Sequence, residues 1–393
     1  MMTRTVLVAG SRTPIGKLGG ALASLSAEQL GAHAIQHALS RAGIAASTVD
    51  MVIMGNVVQA GVGPNPARQA AVGAQIPLTT PAVTVNNLCL SGLQAVIDGD
   101  RLIKSGEADI VVAGGMESMT NAPHLVRGAR AGLRYGSSRL EDALDADALR
   151  CAFDHVSMGE STDRYARAEV IGRAEQDDFA ARSHRRAAEA TSDGTFANEI
   201  APIDVLTRRE TVTITDDEGI RANATPAALS ALRPAFAVDG TITAGSASQL
   251  SDGAAALVLM SESKATALGL QWLAEIGPSS FVAGPDTSLL HQPSRAIIAA
   301  VNKVPGMKVS DLSIIEINEA FAAVAVASML DLGLSAEQVN VHGGAIALGH
   351  PVGMSGARLV LSLALSMARR GDSVGAAALC GGGGQGNAVV LRR

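Results

Sequence analysis

The chain has 393 residues, 47% hydrophobic and 17% charged, which is too apolar for a disordered chain and enough for about two to three ordinary domains with a large core. A net charge of −6 excludes a general nucleic-acid binder, so an anionic ligand has to be met by a local basic patch. With aromatics at 2% and 42 glycines, the core must be Ala, Val, Leu and Ile, with backbone packed closely on backbone.

Thr5-Val6-Leu7-Val8-Ala9 reads as a first strand, and 26–42 as an amphipathic helix with Ser26 as N-cap and Gly43 as stop. Residues 51–54 form a buried strand. A Gly- and Pro-rich stretch at 59–66 follows, then a helix near 67–74 and an apolar strand at 82–85. From Ser91 to about Lys104, Leu93, Val96, Ile97 and Ile103 recur at helical spacing, so Cys89 lies where a strand turns into a helix. Unpaired N–H groups and the positive end of the helix dipole favour an anion there, and a thiol so placed is expected to lose its proton more easily. The competing reading of Cys89 is a small core-filling residue. A strong strand at 109–113 ends in Gly114-Gly115. Strands alternating with helices imply a largely parallel sheet covered on both faces.

From about Thr120 to 245 the alternation fades and charge rises: Arg127, Arg130, Arg134, Arg139, an acidic run at 141–147, a helix at 176–190 carrying Arg182, Arg185 and Arg186, and hairpin-like strands such as 211–214. This is read as an inserted, mobile substrate-handling region, the alternative being a surface of solvated charges. The α/β rhythm then returns. Residues 252–260 fit a helix or a buried strand equally well. The block from Trp272 onward repeats the first 118 residues in outline: 52–56 is echoed by 314–318, and Ser91-Gly92-Leu93, a helix, a strand and Gly114-Gly115 by Ser355-Gly356-Ala357, a helix, a strand and Gly381-Gly382. Such self-similarity points to a duplicated α/β unit, which sets equivalent strand ends side by side.

Cys89, Cys151 and Cys380 are too few for a disulfide framework and too far apart for a zinc motif. The first residues run straight into a strand, no apolar run is long enough for a membrane, and Val389-Val390-Leu391-Arg392-Arg393 holds no peroxisomal signal, so a soluble, cytoplasmic setting is expected. Gly10 to Lys17 fails as a phosphate loop, having five residues between its glycines and Leu18 where Ser or Thr is needed. His33 and His37 lack the Glu of a zincin, and the run at Gly382 lacks the dinucleotide fingerprint.

Four segments remain, all at strand ends or helix starts: the Cys89 turn, Asn318-Glu319-Ala320-Phe321, the Gly-rich turn from Gly343 to His350 and Pro351, and Cys380-Gly381-Gly382-Gly383-Gly384. Together with Arg12-Thr13-Pro14-Ile15-Gly16 and Gly114-Gly115-Met116-Glu117-Ser118-Met119 they resemble the thiolases, which make or cleave 3-ketoacyl-CoA, over essentially the whole chain. The resemblance implies an α/β, thiolase-like fold of duplicated αβαβα layers with an inserted loop domain. The N-terminal half would be 1–119 with 246–270, the loop domain 120–245, and the C-terminal half 271–393. It assigns the nucleophile to Cys89, the base that deprotonates it to His350, and the removal of the α-proton from the second acyl-CoA to Cys380, roles that suit a thiol, an imidazole and a thiol chemically. One oxyanion hole would be His350 with a water held by Asn318, the other the backbone N–H groups of Cys89 and Gly382; such donors are worth roughly 3 kcal/mol each in barrier.

The resemblance also implies coenzyme A contacts at Arg221 and Ser248, a polar contact at His184, and pocket walls at Leu149, Met158, Phe236, Ala320 and Phe321; ordinary packing or a solvated surface is the alternative for each. The expected function is acetyl-CoA C-acetyltransferase, condensing two acetyl-CoA reversibly to acetoacetyl-CoA and CoA. The alternatives are a degradative 3-ketoacyl-CoA thiolase for longer chains, then a ketoacyl synthase or a silent thiolase-like binding subunit. Partners are acyl-CoA and CoA as substrates, without nucleic acid or membrane, in a homotetramer or homodimer, with no cofactor and no metal. The chain departs from short-chain biosynthetic relatives at Ser157, at 289–296 (Leu289-Leu290-His291-Gln292 and onward), and at Leu90 after the nucleophile. Phe179 stands where potassium-activated relatives carry Tyr, so no potassium site is expected. These changes bear on the acyl chain, not the reaction class.

Overall fold

The computed structural model describes residues 3–393. The first helix, α1 (Ala27–Ala42), buries Leu30, Ala34, Ile35, Ala38 and Leu39 along one stripe. The Gln29 side chain accepts from Ser26 N at 3.0 Å at its start, and Gly43 ends it at φ 66, a conformation glycine takes without strain. The strands are β1 (Thr5–Arg12), β2 (Met51–Gly55), β3 (Ala82–Val85), β4 (Ile110–Ser118), a hairpin of β5 (Ile203–Leu206) and β6 (Thr211–Ile214), then β7 (Ser251–Ser261), β8 (Ala274–Ala283), β9 (Ile314–Ile317), β10 (Val374–Gly381) and β11 (Gln385–Arg392). The remaining major helices are α2 (Pro66–Gly73), α3 (Ser91–Ser105), α4 (Met158–Ala168), α5 (Arg173–Ser192), α6 (Gln292–Val301), α7 (Ala322–Leu332) and α8 (Ser355–Arg370).

The main sheet runs β9-β10-β11-β8-β1-β7-β4-β2-β3. It is joined at its middle by only two residue pairs, Val6 with Glu275 and Leu7 with Ala274, so it behaves as two half-sheets. Strand alternation sorts side chains into layers. Val112 and Val258 face α1 and α2 on one outside. Val111, Leu257, Ala377 and Leu379 face the paired α3 and α8 between the half-sheets. Ala376, Ala378 and Val390 face α6 and α7 on the other outside. The result is the αβαβα stack, and the duplication is visible in it. β3, β2, β4, β7 and β1 have as counterparts a single parallel bridge between Ile315 and Val339, then β9, β10, β11 and β8.

Two expectations change and one open choice is resolved. The sheet is mixed, not largely parallel: only β2–β3, β2–β4 and β9–β10 are parallel, because the chain returns to each half beside its first strand from the opposite direction. Strand β4 does not stop at Gly114-Gly115 but continues to Ser118, since β7 pairs with it along that whole length. The ambiguous 252–260 stretch is strand β7, buried on both faces. In the 120–245 region, Arg186 faces backbone carbonyls, Ala336 and Val339 at 2.9 Å, rather than a ligand.

Small residues let the halves close on each other. A Cβ on Gly356 of α8 would stand 2.2 Å from Leu93 N of α3. The carbonyl oxygen of Gly353, from the C-terminal half, sits among Gly55, Gly92 and Gly115 of the N-terminal half, where added Cβ atoms would stand 2.7, 2.8 and 1.9 Å from it.

Candidate active site

Between β3 and α3 the chain makes a tight turn with Leu88 in the left-handed region at φ 51, a strained conformation for leucine that costs on the order of 1 kcal/mol or more. Ser91 pays for it: its hydroxyl donates to Leu88 O at 2.6 Å and accepts from Asn87 N at 2.8 Å. Cys89 stands at the crest of that turn. Leu90, the bulky residue after the nucleophile, points away from the cavity and packs on Gly381, where a Cβ would stand 2.6 Å from Leu90 Cγ.

A second turn, 350–355, is its counterpart from the other half. His350 Nδ1 lies 2.6 Å from the Ser355 hydroxyl, which donates its one proton to Pro351 O at 3.0 Å. Nδ1 therefore carries the imidazole proton and Nε2 presents its lone pair. Asn318 Nδ2 lies 3.3 Å from Nε2. Asn318 is buried at the end of β9, its N–H donating to Ala378 O at 3.0 Å, and its Oδ1 has no partner among the described residues. The turn is anchored across the halves by Glu117, whose carboxylate accepts from Gly353 N (2.9 Å), Val57 N (3.0 Å), Val58 N (3.1 Å) and Asn56 Nδ2 (2.8 Å).

Cys380 lies near the end of β10, buried, and Gly382 follows it. A Cβ on Gly382 would stand 2.4 Å from Met158 Cε and 2.8 Å from Leu88 Cδ1, so a side chain there would have to displace the ends of both. Cys89, His350, Cys380 and Gly382 all line one cavity of about 600 Å³. Its walls include the expected Leu149, Met158, Phe236, Ala320 and Phe321, and Arg221 and Ser248 line it together with Lys17. Asn318 and His184 do not. Asn318 stands behind His350, and His184 Nδ1 accepts from Arg221 N at 3.1 Å, fixing the backbone of a residue that does line it. Ser157 and Leu289, two of the departures, are wall residues. Among the described residues, no group of three or more His, Cys, Asp or Glu side chains is placed to hold a metal ion.

The electrostatics correct one expectation. Burial pushes the Cys89 thiol up to about 12, with Glu117 adding to the rise, so desolvation outweighs the helix-start position. Burial, and then the buried cation Arg358, pushes His350 down to about 3. Cys380 is raised by burial and by its neighbour Cys89. The resting site is a neutral thiol, a neutral imidazole and a second neutral thiol. Motif reading missed Ser355, Ser91 and the anchoring role of Glu117. A signal for the two serines was available: they occupy equivalent places in the duplicated units, and each ties a turn that carries a reactive side chain.

Residues 5–263 match the thiolase N-terminal domain and residues 270–393 the thiolase C-terminal domain. The chain belongs to the thiolase family. It is 54% identical over 392 residues to a probable acetyl-CoA acetyltransferase of Mycobacterium tuberculosis, and 46% identical over 395 residues to the acetyl-CoA acetyltransferase of Escherichia coli K12, each match covering all of both chains. A crystal structure of the Bacillus anthracis acetyl-CoA acetyltransferase superposes with a TM-score of 0.96 at 39% identity, covering 100% of this chain and 99% of that one.

Proposed function

We propose that the protein is an acetyl-CoA C-acetyltransferase working through an acyl-Cys89 intermediate. In the thiolytic direction Cys89 gives its proton to His350 Nε2 as its sulfur attacks the ketone carbon of acetoacetyl-CoA. The bond between that carbon and the α-carbon breaks, and the Cys380 thiol protonates the departing acetyl-CoA enolate. The CoA thiol then attacks acetyl-Cys89 and gives its proton to the Cys380 thiolate, while the Cys89–acyl bond breaks and Cys89 takes its proton back from His350, releasing the second acetyl-CoA. In the condensing direction Cys380, as thiolate, takes the α-proton. Its raised pKa suits that task, because a thiolate of high pKa is the stronger base toward a weak carbon acid. Charge on the thioester oxygen would be met by the backbone N–H groups of Cys89 and Gly382, and by His350 with a water on Asn318. A neutral resting pair fits this sequence, since the imidazole can accept the thiol proton only while its Nε2 is unprotonated.

The observation that carries this reading is that residues from both halves, Cys89 from one and His350, Cys380 and Gly382 from the other, line a single cavity. Arg221, Lys17 and Ser248 supply polar groups for coenzyme A in a chain whose net charge is negative. Ser157 and Leu289 on the wall favour a second reading, a β-oxidation thiolase for longer chains. The rate of CoA-dependent thiolysis of acetoacetyl-CoA, set beside that of 3-ketohexanoyl-CoA, decides between them. The first substrate should be preferred, and preference for the second would make the degradative reading the correct one. A homotetramer or homodimer is part of this proposal, supported by exposed Leu78 and Val83 beside the open edge of β3, as is a reducing, cytoplasmic setting, supported by three unpaired cysteines. No helix among the described residues is long and apolar enough to cross a membrane.

A further inference from the structure

His291 lies outside the reacting groups, yet three wall elements meet on it. It is the residue before α6, at the end of the stretch whose Leu289 lines the cavity. Its Nδ1 lies 2.7 Å from Asp331 Oδ2, on α7, the helix that begins directly after wall residue Phe321. Its Nε2 is bonded to Glu169, directly after α4, the helix that begins with wall residue Met158. Ser294 Oγ donates to the same Asp331 oxygen at 2.5 Å, and Ser328 of α7 donates to Leu290 O at 3.0 Å. Behind the wall, Leu289, Leu290, Phe321, Val324 and Ala166 share one apolar cluster with Cys380, and Met158 packs against it.

We infer that His291 is a specificity-determining positioning residue, which ties α4, α7 and the Leu289 stretch together and so holds the acyl wall at the size of a short chain. The inference rests on the acetyltransferase reading and names how that site sets its chain length. The chemistry of the tie is asymmetric. An imidazolium has two N–H groups and satisfies both carboxylates at once. A neutral imidazole has one, so either Glu169 or Asp331 then faces a lone pair. The tie is therefore complete only in the protonated ring. Asp286 and Arg295 line the small cavity beside it, and Arg295 is held on Gly284 O. Glu169 and Asp331, the groups in contact, hold the ring's pKa above its ordinary value despite partial burial. The tie is complete below the ordinary histidine range, at about pH 6.5, and is lost as pH rises through the raised value.

The test compares kcat/KM for thiolysis of acetoacetyl-CoA and 3-ketohexanoyl-CoA from about pH 6.5, the ordinary histidine value, upward to about pH 9.5. The ratio cancels the chemistry that both substrates share. In the wild type the preference for the shorter substrate should fall about fivefold or more across that range. His291→Leu should show the lower preference at every pH, with acetoacetyl-CoA kcat near wild type. Asp331→Asn, which leaves one carboxylate that a neutral ring can satisfy, should flatten the profile, and it serves if the leucine variant does not fold. A flat wild-type ratio, or a His291→Leu profile that follows the wild type, overturns the inference. If neither substrate is cleaved, the acetyltransferase reading fails on its own. The tie is then read by NMR, where the Leu289 methyl shifts should titrate with the His291 ring, and methyls that do not move with the ring overturn it.

Discussion

A thiol whose proton is held by burial behaves differently from one paired with an imidazolium, and this difference is measurable at Cys89. With the thiol pushed up to about 12 and His350 down to about 3, the thiolate fraction of the free protein rises about tenfold per pH unit through neutrality. Alkylation of Cys89 by iodoacetamide should therefore keep accelerating by about that factor up to about pH 9; a plateau below neutral pH would show a preformed ion pair instead. The residue types at this site were legible in the sequence. Cys89, His350, Cys380 and Gly382 were named from motifs, the family resemblance they carry and chemistry, and the structure brings all four to one cavity. The direction of the Cys89 shift was not legible. It depends on walls contributed by Met158, Phe236 and Leu289, far away in the chain, whereas the helix-start argument sees only neighbours in sequence. Leu90 was likewise opaque, because its partner is Gly381 across the halves.

At the scale of elements, the site depends on how closely two turns approach. Gly115 lies within β4, where an added Cβ would stand 1.9 Å from the Gly353 carbonyl oxygen, backbone that cannot swing aside. Gly115→Ala should therefore destabilise the protein by about 3 kcal/mol, toward the upper end of overpacking costs, and should also lower kcat, because Gly353 lies in the turn that carries His350. Urea unfolding and steady-state rates check this, and an unchanged midpoint with unchanged kcat would contradict the contact. Period-2 and period-3.6 patterns located most helices and strands, and the repeated 52–56 and 314–318 segments revealed the duplication. The pattern failed where tertiary pairing decided the outcome. Strand β4 runs past Gly114-Gly115 because β7 lies alongside it, and the mixed sheet follows from returns that no local window contains.

At the scale of the whole molecule, neither half holds a complete site. The N-terminal half supplies Cys89 and the glycine nest, and the C-terminal half supplies His350, Asn318, Cys380 and Gly382. The buried Glu117 carboxylate gathers donors from both, Val57 and Val58 on one side and Gly353 on the other. Removing it would leave those N–H groups buried without an acceptor, at about 1–3 kcal/mol each. The net charge of −6 is offset locally, since Lys17 and Arg221 line the cavity, where they would meet an anionic substrate. The central claim is that this assembly transfers an acyl group through Cys89. The most direct measurement is the mass of the protein and of its Cys89 peptide after brief exposure to acetoacetyl-CoA, before and after CoA is added. A single acetyl group on Cys89, discharged by CoA and absent in Cys89→Ala, is the predicted result. Turnover in Cys89→Ala, or an acetyl group carried elsewhere, would contradict it.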